Sequence, residues 1–182
     1  MTLQSPIPAL IAERHEDGPA VDALIARAFG PGRYAKAAER LREGNRPLTG
    51  LSFTAWANRR PIGCARLWPV AIGAAAGLLL GPFAVEEAHR RRGLGAALVR
   101  RACQAAADAG HALVLLVGDE AYFASCGFTA APAKRLAMPG PVDQRRVLVR
   151  ALKLRAADDL AGPVLARPLR EAVGGSGAET FA

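Results

Sequence analysis

Residues 67–85 carry no charged side chain, yet the run is punctuated by Pro69, Gly73, Gly77, Gly81 and Pro82. An apolar stretch of this length either crosses a membrane or lies inside a folded domain. Proline and glycine in a helix interior cost about 3 and about 1 kcal/mol each, which argues against a spanning helix. The run reads instead as the end of one strand, a Gly/Ala turn, and a second, buried strand over 78–85. Uncharged neighbouring strands need cover on both faces, which points to a sheet inside a layered domain.

The remaining chain supports that architecture. A short strand is expected over 8–13, and Asp17 or Gly18 can cap a helix over 19–29 that faces Val21, Leu24, Ile25 and Ala28 inward before Gly30-Pro31-Gly32 ends it. A second helix is expected over 33–43, with Tyr34, Ala37, Ala38 and Leu41 inward. Strands over 51–56 and 62–68 flank a turn at Asn58-Arg59-Arg60-Pro61. Downstream come a helix over 93–108, a continuously apolar strand over 112–117, a short helix over 121–125, and strands over 128–131 and 147–154. The fold class is α/β: a mixed, three-layer domain with a central sheet and helices on both faces, spanning 1–155. A flexible C-terminal extension is expected over 156–182.

Composition narrows the function classes. The chain has 182 residues, 51% of them hydrophobic, which suits one folded domain without disulfides. Cys64, Cys103 and Cys126 are spaced as neither a disulfide framework nor a zinc site, so no metal is expected and the compartment is read as reducing. The first residues lack the basic and apolar regions of a secretory signal, and the expected location is cytoplasmic. A net charge of +8 favours phosphate-bearing partners. An anionic cofactor, an acidic protein surface and nucleic acid all fit, but nucleic-acid signature motifs are absent.

The chemistry concentrates where the strand ending at Val85 passes through Glu86-Glu87-Ala88-His89-Arg90-Arg91-Arg92 into a helix opening with Gly93-Leu94-Gly95-Ala96. Glycines at a helix start allow close backbone approach, and the unpaired amides there point the positive end of the dipole outward. Such a turn either binds a phosphate or is a basic, solvated loop; the residues alone leave both open. Neither GxGxxG nor GxxxxGK[ST] occurs, which removes the main support for Rossmann redox and P-loop readings.

Arg90-x-x-Gly93-x-Gly95-Ala96, directly after a buried strand, resembles the acyl-CoA-binding motif of the GNAT-type N-acetyltransferase superfamily, Q/R-x-x-G-x-G/A. The segment from Gly118-Asp119-Glu120 through Tyr122-Phe123 to Cys126-Gly127-Phe128 resembles that superfamily's later motif, a short aromatic-led helix running into a Gly-Phe pair. One helix and one strand separate the two, as in the family, and the resemblance covers about residues 5–155. It implies acetyl-CoA lying between strands 78–85 and 112–117. The pyrophosphate would sit on the amides of Arg91, Arg92, Gly93, Leu94, Gly95 and Ala96 beside Arg90, and the pantetheine arm along Phe83, Ala84 and Val85.

The resemblance further implies direct attack of an amine on the thioester, giving a tetrahedral intermediate and a leaving thiolate. An alkylammonium with pKa about 10 must first lose a proton, and a thiolate of pKa about 8.5 benefits from a donor. Glu86 and Glu87 are the nearest carboxylates for a water relay. The family tyrosine four residues before the Gly-Phe glycine is replaced here by Phe123, and Tyr122 stands one place earlier, rotated by about 100° on a helix. Tyr122 is the candidate proton donor; a noncatalytic acyl-CoA-binding regulatory module is the alternative, and a basic nucleic-acid binder a third class. Cys126 is either a nucleophile or a packed thiol. Arg33, Tyr34, Lys36 and Arg40 belong to the early helices that help wall the acceptor site in relatives. The acceptor is expected to be a small-molecule or peptide amine; the charged early helix admits an acidic one but does not choose among polyamine, aminoglycoside, amino-acid derivative, small arylamine, lysine side chain and protein N-terminus. Relatives are often dimers, but no apolar face here can be assigned to a homodimer.

Overall fold

The computed structural model describes residues 7–168. One eight-stranded sheet contains β1 (Leu10–Ala12), β2 (Phe53–Ala57), β3 (Arg60–Ile72), β4 (Ala75–Val85), β5 (Leu113–Val117), β6 (Leu136–Ala137), β7 (Val147–Ala151) and β8 (Gly162–Ala166). The main path runs β1-β2-β3-β4-β5-β7, and its β4–β5 pair alone is parallel. The uncharged run 67–85 is thus the far half of β3, a turn at Gly73, and β4. Among the described residues no helix is long and apolar enough to cross a membrane.

Helices cover both faces. On one, α1 (Gly18–Phe29) packs Val21, Leu24 and Ile25 against Cys64 and Ala84. On the other, α3 (Leu94–Asp108) packs Leu94, Leu98, Ala102 and Ala106 against Ala65, Leu67, Leu78 and Val85. The expected second helix is much reduced. Lys36 is extended (φ −81°, ψ 143°) and separates a 3-10 turn, Pro31–Ala35, from the four-residue α2 (Ala37–Arg40). Ala37 and Leu41 are buried as expected, but Tyr34 is 61% exposed, because the break turns it away from the sheet.

A β-bulge organises the centre of the sheet. Opposite β3, the register passes from Ala65↔Phe83 to Leu67↔Leu80, so Gly81 and Pro82 together face Arg66. The extra residue switches the alternation of β4: Leu78 and Leu80 lie on the α3 face below the bulge, Val85 and the half-buried Phe83 above it. Gly81 has φ 130°, which favours glycine. The β4–β5 ladder spans Leu78↔Val114 and Leu79↔Leu115, and beyond it the strands separate, leaving the upper edge of β4 open.

Arg66, at the bulge, is nearly buried and ion-pairs with Glu13 after β1 and with Asp22 on α1. Its Nε donates to Glu13 Oε2 at 2.9 Å and its Nη1 to Asp22 Oδ1 at 2.6 Å. One side chain therefore joins β1, α1 and the bulged strand pair.

Two further differences follow from non-local pairing. The strand expected over 128–131 is a single bridge between Thr129 and Val149. The extension expected from 156 contains β8, which pairs antiparallel with the far half of β3 and parallel with β6. Its Val164 is fully buried against Ile72. The remainder of the expected extension, 169–182, lies outside the described residues.

Candidate active site

The separation of β4 from β5 opens a cavity of about 1040 Å³ that reaches from the α3 face through the sheet to the α1 face. Gly93, Gly95 and Tyr122 line the first side, Phe29, Arg33, Lys36 and Arg42 the second, and residues 80–85 of β4 run between them.

The α3 end has the backbone chemistry to receive an anion. Gly93, the N-cap residue, is left-handed (φ 81°) and supplies no side-chain cap, and the first intrahelical bond recorded there is Ala97 N–H to Gly93 O at 3.0 Å. The amides of Leu94, Gly95 and Ala96 therefore stand at the positive end of a 15-residue helix without a capping side chain. Arg91 is also left-handed (φ 60°), and it lines the cavity. Arg90 folds back, its Nε donating to Val85 O at 2.9 Å, so it braces the turn as well as adding charge.

Gly95 is required by its neighbours. A Cβ there would collide with the Tyr122 hydroxyl and lie 2.8 Å from Phe83 Cζ. The Tyr122 ring is tilted on Phe83 with centroids 6.2 Å apart and edge-on to Phe123 at 4.8 Å. Burial pushes the Tyr122 phenol above its ordinary pKa, with Cys126 adding to the shift, so the hydroxyl keeps its proton at neutral pH. Phe123 fills the space beneath Gly118 and meets Phe128 edge-on at 6.1 Å. Helix α4 (Glu120–Phe123) thus presents the tyrosine to the glycine turn and the phenylalanine to the core.

The opposite side is basic. Arg42 donates from Nη1 to Glu39 Oε2 at 2.7 Å, and its Nη2 lies 3.0 Å from where a Cβ on Gly81 would be. Burial lowers the Arg42 pKa; Glu39 opposes this, while Arg33 and Arg66 add like-charge repulsion. Asp143 also lines the cavity. Hydrogen bonds from the Arg145 side chain and backbone hold its carboxyl below the ordinary carboxylate range.

Sequence and structure comparisons agree with this geometry. A family model described as an acetyltransferase (GNAT) domain matches residues 49–130. An uncharacterized N-acetyltransferase of Escherichia coli, YhbS, is 30% identical over 150 residues, covering 81% of this chain and 89% of that protein. The chain belongs to the GNAT acetyltransferase family. The crystal structure of E. coli YhbS in complex with CoA superposes with a TM-score of 0.75 at 27% identity, over 92% of this chain and 93% of that one. A GNAT acetyltransferase from Brucella melitensis in complex with acetyl-CoA shares the fold, with a TM-score of 0.64 at 24% identity over 87% of this chain and 95% of that one. The mixed α/β architecture and the membership read from two motifs both hold, and the class is that of acyl-CoA-dependent enzymes.

In this GNAT chain the cavity gathers Phe83, Ala84, Val85, Arg90, Arg91, Gly93, Gly95, Ala96 and Tyr122 from the residues singled out in the sequence. Arg92 is exposed and Leu94 turns its side chain into the core, leaving only its amide toward the turn. Neither Glu86 nor Glu87 lines the cavity. Glu86 is ion-paired with Arg27 at 3.4 Å, and Glu87 is exposed on a 3-10 turn. Cys126 is buried, its Sγ 4.0 Å from Ala96 O, and does not line the cavity. Arg42, Asp143 and Arg146, which also line it, carry no sequence motif, and only the fold brings them to β4.

Proposed function

We propose that this GNAT enzyme transfers an acetyl group from acetyl-CoA to a primary amine, entering from the α1 face, by direct attack. The observation that carries this is the cavity that crosses the sheet from the uncapped start of α3 to the basic segment beside α1. Its fit to an acyl-CoA is physical: free helix-start amides and Arg91 suit a pyrophosphate, the glycine at 95 keeps the turn open, and the unpaired upper edge of β4 suits an amide-bearing arm. Bound acyl-CoA supplies an activated acyl thioester, the amine forms the new C–N bond, and the thiolate leaves.

The chain's own groups have separable tasks. The Tyr122 hydroxyl is the proton donor for the departing sulfur, since it lines the cavity and burial keeps it protonated. Arg33, Lys36 and Arg42 disfavour a bound ammonium and so lower the acceptor amine's pKa, easing proton loss. Glu86 and Glu87 would act only through intervening water. The free, buried thiols of Cys64, Cys103 and Cys126 support a reducing, cytoplasmic location. Burial pushes the Cys64 thiol up to about 12 and the Cys103 thiol up to about 11, which suits packing and not nucleophilic work.

Calorimetric titration of the cofactor-free protein with acetyl-CoA tests the reading. Saturable one-to-one binding, followed by amine-dependent thiol release, is the expected result. Absence of binding in a folded sample would remove it.

A further inference from the structure

Six basic side chains and two acidic ones, Asp119 and Asp143, line the cavity. Both carboxylates already have partners: Asp119 accepts from Ala121 N at 2.9 Å, and Asp143 accepts from Arg145 Nε and Nη2 at 3.0 and 2.8 Å. Three of the bases, Arg33, Lys36 and Arg42, come from the segment that leaves α1 and ends where Leu41 packs in one cluster with Leu79 and Leu113. That segment lies on the face of the sheet opposite α3 and its helix-start amides.

Their contacts leave charge over. Arg33 reaches Tyr34, with Nη2 donating to Oη at 2.9 Å and the guanidinium carbon 4.5 Å from the ring centroid. Lys36 Nζ lies 5.4 Å from the Phe29 ring centroid. Among the described residues neither has an ion pair with a carboxylate. Arg42 has one, to Glu39, while its Nε is buried without a hydrogen-bond partner and its Nη2 points to the Gly81 bulge. Arg42, nearly buried, has the one carboxylate of the group, and among the described residues the half-buried Arg33 and the exposed Lys36 beside it have none; an unpaired donor as buried as Arg42 Nε is costly.

We propose that Arg33, Lys36 and Arg42 form an oxyanion seat, and that the acceptor is an amine that also bears a carboxylate or phosphate group. This rests on the acyltransferase reading, because the seat is assigned to the acceptor by its place across the sheet from the phosphate-binding turn. Guanidinium groups pair with carboxylate and phosphate alike, and lysine supplies a further charge. Anchored there, the acceptor's anion holds its amine near the bulge, where Gly81 leaves room for the Arg42 guanidinium. A polycationic acceptor would meet like charge on the same wall.

The test uses the full chain saturated with CoA, which occupies the phosphate-binding turn and leaves the seat as the measured site. Glutarate and inorganic phosphate are titrated calorimetrically into the wild type, Arg42→Gln and the Arg33→Gln/Lys36→Gln double variant. At least one anion binds the wild type saturably and binds each variant about tenfold more weakly, with CoA affinity unchanged. The tighter anion identifies the acceptor group. The double variant keeps the test open where Arg42→Gln fails to fold, since Lys36 is exposed and Arg33 half-buried, and among the described residues neither is ion-paired. Thiol release then compares 4-aminobutyrate with its amide and phosphoethanolamine with ethanolamine; where a pair is turned over, the anionic member has the higher kcat/KM. No saturable anion binding, or equal binding by the variants, overturns the seat while leaving CoA binding intact. Failure of CoA itself to bind removes the acyltransferase reading and the seat together.

Discussion

The hydroxyl of Tyr122 lies over the α-carbon of Gly95, close enough that no side chain fits between them. A residue from α4 thereby closes over the first turn of α3, and the glycine's lack of a Cβ sets both the aromatic position and the access to the helix-start amides. Replacing Gly95 by alanine displaces Tyr122 and Phe83, whose Cζ would lie 2.8 Å from the new methyl. The expected result is an overpacking cost of about 1–3 kcal/mol in thermal or urea unfolding. Acyl-CoA affinity falls about tenfold, or about 1.4 kcal/mol, by calorimetry on the folded variant.

Tyr122→Phe removes the hydroxyl but keeps the ring contacts with Phe83 and Phe123. If the hydroxyl protonates the leaving sulfur, kcat falls about 100-fold while acyl-CoA affinity stays within about twofold. The pH dependence has a definite sign. A donor must be protonated, and burial raises this phenol above its ordinary value, so the wild-type rate does not decline between about pH 7 and 9 through loss of the donor. Unchanged turnover in the variant would refute the assignment.

Gly93 separates backbone strain from charge. It is exposed and left-handed, and among the described residues a Cβ there meets only Ile7 Cδ1 at 3.6 Å. Gly93→Ala is expected to cost about 1–2 kcal/mol of stability from the left-handed conformation. Gly93→Glu has a similar backbone cost and adds a carboxylate beside the uncapped amides, so its acyl-CoA affinity falls about tenfold further than the alanine variant's. Equal affinities in the two variants would move the pyrophosphate away from this turn.

The portion of the site written into contiguous sequence was legible before the fold. A buried strand, a glycine turn and a helix occupy 78–108, and their chemistry depends on backbone direction and missing side chains, which local sequence reports. Tyr122 and Phe123 were harder, because a rotation of about 100° says how two neighbours differ and not which one faces a cavity. The answer lies in non-local packing, with Phe128 receiving Phe123 and Gly95 admitting Tyr122. Arg42 was invisible for the same reason: nothing near it in sequence marks Gly81 as its neighbour. The helix expected over 33–43 failed on one extended residue, Lys36, and β8 escaped notice because its partners β3 and β6 are distant in sequence.

The β3–β4 bulge, which follows directly on the last β4–β5 pair, is backed by Arg66, and this gives a prediction in which stability and function move apart. Glu13→Gln leaves Arg66 facing Asp22 as its remaining carboxylate, although the Arg66 side chain is 8% exposed and Asp22 is 59% exposed. Breaking a buried pair on one side costs about 3–5 kcal/mol, because the remaining charge stays buried without adequate compensation. Replacing both partners, as in Glu13→Leu/Arg66→Met, removes that orphaned charge and recovers much of the loss in urea unfolding. The two replaced side chains no longer tie β1 and α1 to the bulge, beside which the proposed acceptor path along the α1 face runs. The double variant is therefore expected to regain stability and acyl-CoA affinity while retaining a raised KM for the amine. Full recovery of KM with stability would show that Arg66 serves the fold alone.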